Sequence, residues 1–183
     1  MEKIELEIAE IITRKATDMT LMMMLREKHG TRSLPVMIGL IEAQSIAMTV
    51  LNVKLPRPGI YDLYLKTISS LDVTIDSVYI YKIEDGVFYS CIYVEREGNI
   101  HYVDARTSDA VALAQRAGAP IYVDRDLFER HCAYRDGNSF SFPITTASVE
   151  VLREAMQRAI ENEEYELAAK LRDELKSRNP NND

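Results

Sequence analysis

The chain has 183 residues, 46% of them apolar, a formal net charge of −7 and two cysteines, Cys91 and Cys132. That length suits one main domain with a small appendage, and the acid excess argues against a broad basic face holding nucleic acid by counterion release. It leaves room for an enzyme that handles phosphate through a local arginine and a metal, because catalytic metal sites are themselves acidic. The opening M-E-K-I-E-L-E-I-A-E has no basic segment ahead of an apolar one, and no apolar run approaches the ~18 residues of a membrane span. These features predict a cytoplasmic protein with free thiols and no membrane partner. Zinc spacing, a Walker loop and G-x-G-x-x-G are all absent from the sequence.

Ile4, Leu6 and Ile8 alternate with Glu5 and Glu7, which predicts a half-buried strand. Apolar runs Thr20–Glu27 and Ser33–Ile38 flank the turn Lys28-His29-Gly30. The run Met22-Met23-Met24 fits either adaptable core filling or a subunit interface. Gly39 opens a helix through Leu51, with Glu42 in a first turn that favours an acid. Pro56-Arg57-Pro58-Gly59 breaks the chain before a second helix, Ile60 to Leu71. Strands Val73–Ile83 and Val87–Glu95 surround the hairpin signal Glu84-Asp85-Gly86. The second of them is almost continuously apolar, which predicts an interior position in the sheet. Gly98-Asn99 turns into a further strand, Ile100–Val103.

The stretch V-D-A-R-T-S-D-A-V-A-L-A then reads as a strand end, a polar corner and a helix beginning near Asp109. Gly118 and Pro120 stop that helix ahead of strand Ile121–Val123 and a helix from Arg125 to Cys132. After a linker the tail is helix-rich, with a polar break near Asn162-Glu163. Leu152, Met156, Ala159 and Ile160 mark one helix face, and Tyr165, Ala168, Ala169, Leu171 and Leu175 mark the next. The predicted architecture is α+β: a compact domain over 1–135 with a mixed or antiparallel sheet and packed helices. A linker over 136–145, a helical hairpin over 146–178 and a disordered tail over 179–183 complete it.

The corner holds the densest set of chemically capable side chains. Asp104 and Asp109 are candidate ligands for a hard divalent cation, Mg²⁺ or Mn²⁺. Arg106 can grip a phosphate through its fork of donors, and Ser108 or Thr107 can cap a helix whose amides attract anions. Such a group suits metal-assisted hydrolysis of a phosphodiester. A plainer account fits the same residues: Ser108 and Asp109 as a cap and a first-turn acid, Asp104 and Arg106 as a surface ion pair. His29, His101 and His131 are scattered, with no spacing that suggests a triad or a zinc site.

The runs I-G-L-I-E-A-Q-S-I-A (38–47), P-R-P-G-I-Y-D-L (56–63), D-G-V-F-Y (85–89), D-A-R-T-S-D-A-V-A-L-A (104–114) and A-P-I-Y-V (119–123) resemble, in this order, the bifunctional nuclease (BFN) domain. The resemblance implies a self-associating α+β domain with nuclease activity on DNA and RNA. It carries over Gly39, Glu42, Arg57, Pro58, Asp62, Asp104, Arg106, Ser108 and Asp109. One position departs: Tyr61 stands where the family often has a histidine. The tail resembles a UVR motif, the helical hairpin of the excision-repair proteins UvrB and UvrC, through Y-E-x-A-A-x-L-R-D at 165–173. That implies protein pairing through Tyr165, Ala168, Ala169, Leu171 and Arg172, with a second copy or another UVR-bearing protein.

The leading expectation is therefore a homo-oligomeric nuclease. Asp104, Asp109, Glu42 and Asp62 are its catalytic carboxylates, and Arg106, Arg57 and Ser108 hold substrate. The rival is a non-catalytic adaptor whose hairpin docks on a partner; a small-molecule phosphate-binding domain is a third reading.

Overall fold

Alternating and near-continuous apolar runs rich in Ile, Val and Tyr favour strands, and they build the main sheet. The computed structural model describes residues 2–13, 20–136, 139–141 and 149–178. Seven strands form one mixed sheet: β1 (Lys3–Ile12), β2 (Thr20–Glu27), β3 (Ser33–Gly39), β4 (Thr74–Glu84), β5 (Val87–Arg96), β6 (Asn99–Arg106) and β7 (Ile121–Asp124). Their spatial order is β3-β2-β1-β7-β4-β5-β6. Only the β4–β7 pairing is parallel; every other neighbour runs antiparallel. The apolar β5 is interior, one strand in from the edge strand β6.

Two tight loops set the register of the β4-β5-β6 meander. Asp85 and Gly86 have φ of 51° and 79°, and Glu97 and Gly98 have 52° and 77°. Positive φ at both central residues is what a two-residue type I′ hairpin needs, and its twist matches that of the flanking strands.

Four helices belong to this unit: α1 (Leu40–Val50), α2 (Ile60–Ser69), α3 (Thr107–Ala117) and α4 (Arg125–His131). The run Ala110-Val111-Ala112-Leu113-Ala114 of α3 is buried throughout, so small side chains let the helix lie close to its neighbours. Gly118 ends it at φ 69°, with its amide bonded back to Gln115 O. One core joins Ala43 and Ile46 of α1 to Val78, Ile80, Ile92 and Val123 of the sheet, with Tyr61, Tyr64 and Leu65 of α2 packed against it. Met23 and Met24 are fully buried and Met22 is half-buried, which puts two residues of the methionine run in the core. Both cysteines are free and buried.

The structure moves some expected boundaries. Strand β1 runs to Ile12 and β6 to Arg106, so the polar corner is tighter than the sequence suggests, and α3 starts at Thr107 rather than near Asp109. Within the expected linker, Ser139–Ser141 (β9) pairs with Tyr134–Asp136 (β8) in a small antiparallel sheet. Residues 142–148 and the tail 179–183 lie outside the described residues. Helices α5 (Val149–Glu161) and α6 (Tyr165–Arg178) form the expected hairpin. Its core is Leu152, Ala159 and Leu171, flanked by Ala155, Met156, Ala168 and Leu175.

Ile46 is fully buried where α1 meets the sheet. Ile46→Ala should cost about 2–5 kcal/mol, seen as a lower urea midpoint at unchanged slope. A midpoint within error of the parent would show that α1 is not packed as described.

Candidate functional site

The end of β6, the N-terminus of α3 and the facing sides of α1 and α2 enclose a cleft of about 970 Å³. Its walls are largely apolar, with Ile41, Ile60, Leu63, Val103 and Leu113 among them. The polar residues converge on Arg106. Its guanidinium donates Nε to Asp109 Oδ2 at 2.8 Å and Nη2 to Asp109 Oδ1 at 3.2 Å. Nη2 also lies 3.0 Å from Glu42 Oε1. The Tyr61 hydroxyl completes the group by donating to Asp109 Oδ1 at 2.7 Å. The Arg106 side chain is 68% exposed, and its Nη1 has no partner among the described residues.

Local structure explains each position. Arg106 is the N-cap residue of α3, in extended backbone, with no side-chain cap. Three residues on, Asp109 lies on the same side of the first turn, where the helix dipole favours its charge. Thr107 is buried and bonded to Ser90 Oγ at 2.6 Å and Phe88 O at 3.3 Å, which pins the start of α3 to β5. Glu42 sits in the first turn of α1, and a Cβ at Gly39 would collide with its Oε2. A larger residue at 39 would therefore push Glu42 off its present position.

Electrostatics fixes the protonation states. Burial alone would raise the Asp109 pKa, but hydrogen bonds from Arg106 and Tyr61 outweigh it and hold the carboxyl below its usual value. Burial and the adjacent Asp109 push the Tyr61 hydroxyl well above the ordinary tyrosine range, so it is a neutral donor. Arg106 is raised chiefly by Asp109.

The expected residues do not all meet. Glu42, Arg106 and Asp109 come together. Asp62 instead accepts the Gly59 amide at 3.1 Å and lies 3.4 Å from Arg116 Nε, behind the cleft. Arg57 is exposed in the loop before α2, and Ser108 is buried in the first turn of α3. Asp104 does not pair with Arg106. It stands opposite Cys91 across the β5–β6 ladder and accepts the Tyr81 hydroxyl at 3.4 Å. Side chains alternate between the faces of a strand, so Asp104 shares a face with Cys91, Tyr79, Tyr93 and Tyr102, away from Ile92 and the helices. Asp104 and Asp109 thus aim into different openings, although Asp104 borders both. Among the described residues no three of His, Cys, Asp or Glu gather as metal ligands. The donor set therefore does not fit a Mg²⁺ or Mn²⁺ ion shared by Asp104 and Asp109.

Sequence reasoning missed Arg116. It donates to Ser45 O and Ser45 Oγ, both at 2.9 Å, and to Ala112 O at 3.1 Å, with its guanidinium 4.9 Å from the centre of the Tyr61 ring. The signal was available: Asp109 and Arg116 are seven residues apart, two turns along one helix face.

An α+β domain whose helical side cradles an arginine between two carboxylates and a tyrosine is the class these observations define. A family model for the bifunctional nuclease domain matches residues 23–135, and one for the UvrB/uvrC motif matches residues 146–177. The chain belongs to the bifunctional nuclease domain family and ends in a UVR motif. It is 42% identical over 102 residues to an uncharacterized protein of Mycobacterium tuberculosis, covering 56% of this chain and 60% of that one. It is 28% identical over 109 residues to bifunctional nuclease 1 of Oryza sativa, covering 57% of this chain and 31% of the rice protein. The match thus spans only part of these curated relatives. The family match begins inside β2, yet β1 lies between β2 and β7, so the residues ahead of the match are integral to the sheet.

Asp109 has a folded pKa below its unfolded value of 3.8, so it stabilises the fold above about pH 4, and that contribution is lost as pH falls through the folded pKa. Asp109→Asn should therefore flatten the acid limb of a stability-against-pH curve. An equally steep limb in the variant would show that the carboxyl is not held by Arg106 and Tyr61.

Proposed function

We propose that this protein is a nuclease that hydrolyses phosphodiester bonds of DNA or RNA in the cleft between β6 and helices α1 to α3. The observation that carries the reading is Arg106: exposed, held in orientation by Asp109 and Glu42, and left with Nη1 free to bind a phosphate oxygen. Charge-assisted bonds from a fixed guanidinium favour the extra negative charge that develops as water attacks phosphorus. Glu42, not held by Tyr61, is positioned to take the proton of the attacking water. The bond from phosphorus to the leaving sugar oxygen breaks, and that oxygen takes a proton from solvent. Asp109 is kept ionised by Arg106 and Tyr61 and serves as a positioning carboxylate. The rice relative named as a bifunctional nuclease supports the same chemistry.

A second reading, a non-catalytic adaptor, is favoured by the two carboxylates that already compensate the Arg106 charge. In both readings the hairpin supplies protein contacts, with a second copy or another UVR-bearing protein. Leu171 is spent inside the hairpin, whereas Tyr165, Ile160 and Leu167 remain exposed for a partner. Among the described residues no helix is long and apolar enough to cross a membrane, and the free buried thiols support a reducing, cytoplasmic setting.

Full-length protein incubated with labelled single- and double-stranded DNA and RNA should cleave at least one of them. Arg106→Ala should lower the rate by about 10–100-fold, in line with the loss of one charged hydrogen bond. Arms with Mg²⁺, Mn²⁺ and EDTA, repeated on Asp104→Asn, locate any metal: a requirement unchanged in the variant places the ion elsewhere. No cleavage of any substrate shifts the assignment to the adaptor. Separately, Tyr165→Ala with Leu167→Ala should lower the oligomer mass in light scattering or abolish capture of a UVR-bearing protein. If neither changes, the exposed side of α6 is not the contact.

A further inference from the structure

The face of the sheet that carries Asp104 is rich in tyrosine. Tyr79, Tyr81, Cys91, Tyr93, Tyr102, Asp104 and Asp124 line a hollow of about 570 Å³. One cation already lies beside these rings: Lys3 Nζ is 4.7 Å from the Tyr79 centroid, 5.5 Å from Tyr93 and 5.7 Å from Tyr122. A carboxylate stands on each flank. Asp124 accepts the Tyr79 hydroxyl at 3.3 Å, and Asp104 accepts that of Tyr81 at 3.4 Å. Burial, then the Asp124 charge, pushes the Tyr79 hydroxyl up to about 12, so it stays a protonated donor. Tyr102 is 75% exposed, which leaves a ring free to cover a ligand.

We propose that this hollow is a second ligand site and that it takes a linear polyamine. The chemistry is complementary on two counts. Tyrosine faces attract an alkylammonium through the ring quadrupole, as Lys3 demonstrates within the molecule. Two carboxylates neutralise a dication and repel a phosphate chain, so this face suits an amine better than a nucleic-acid strand. Length also selects. Asp104 on β6 is level with Cys91, Tyr79 and Tyr122 across the ladders, so Asp124 on β7 lies three strand spacings away and two residues further along, about 16 Å at the backbone. A triamine whose outer nitrogens are nine bonds apart extends about 11 Å, enough to serve both carboxylates once their side chains lean inward. A four-carbon diamine reaches only one of them. The site lies on the opposite face of β6 from the Arg106 cleft and does not depend on the nuclease reading.

Calorimetry on the full chain with spermidine, putrescine and butylamine tests this. Spermidine should bind at least ~10-fold more tightly than putrescine. Asp124→Asn should weaken it about 10-fold while keeping the α4 cap, since asparagine caps as well as aspartate. Tyr102→Ala, which changes no charge, should weaken it comparably. Lys3→Ala should tighten it by vacating the rings. Equal affinity for all three amines, or spermidine binding indifferent to Tyr102→Ala, reduces the effect to general attraction by an acidic protein and overturns the proposal. Single-stranded oligonucleotide binding that is lost in Tyr102→Ala, without spermidine binding, overturns it in favour of a base-stacking platform.

Discussion

The helical side of this domain hangs on Arg116. Its guanidinium reaches α1 through Ser45 O and Oγ, its own helix through Ala112 O, and α2 through Asp62 and the Tyr61 ring. The side chain is only 11% exposed. A charge that deep is tolerable only when its donors are satisfied, and losing one partner leaves the others desolvated without compensation. The consequence reaches the cleft. Tyr61 is clamped between Arg116 and Asp109, so the angle between α2 and α3 fixes the hydrogen bond that holds Asp109, and Asp109 in turn aims Arg106. The cleft is thus oriented from behind, by a residue that does not line it.

The charge arithmetic of the cleft suits a chain with a net charge of −7. Arg106 is balanced by two carboxylates, so the pocket offers an arginine without a basic surface. In the proposed nuclease, binding of a polyanion would then rest on a few directed donors rather than on released counterions, with a shallow salt dependence. The alternation of β6 separates two chemistries. Val103 faces the helices and the cleft, while Tyr102 and Asp104 face the tyrosine hollow. A shift of one residue in the β5–β6 register would exchange them, and the type I′ turn at Glu97 and Gly98 guards against it.

Much of the fold was legible because its signals are local. The periodicity of β1, the hairpins at Asp85 and Gly98, and the Gly118 stop each depend on a handful of adjacent residues. The site was legible only in part. The polar corner singled out Arg106 and Asp109, the family resemblance added Glu42, and these three do converge. It also put Asp104 with Asp109, because five residues of sequence look like proximity. The strand-to-helix junction lies between them, and strand parity turns Asp104 to the other face. Arg116 stayed hidden for the opposite reason: its partners Ser45 and Asp62 are far away in sequence, and only packing brings them to it.

Tyr61 stands where the family resemblance implies a histidine, and its surroundings say what the position demands. It must donate one hydrogen bond to Asp109 and present a flat face to Arg116. A neutral imidazole meets both demands, and so does a phenol. They differ in charge: an imidazole titrates near pH 6.5, and protonated it would place a third cation beside Arg106 and Arg116. The phenol, with its pKa raised by burial and by Asp109, stays neutral through the physiological range. With tyrosine here, Asp109 keeps one neutral donor at any working pH, and the orientation of Arg106 is decoupled from protonation. Relative to a histidine, the phenol removes a titrating group from the cleft while preserving the hydrogen bond, and in the proposed hydrolysis the base that accepts the water proton is then a carboxylate. Glu42, the other carboxylate on Arg106 and the one without a tyrosine partner, is the group to which the proposed hydrolysis gives that step.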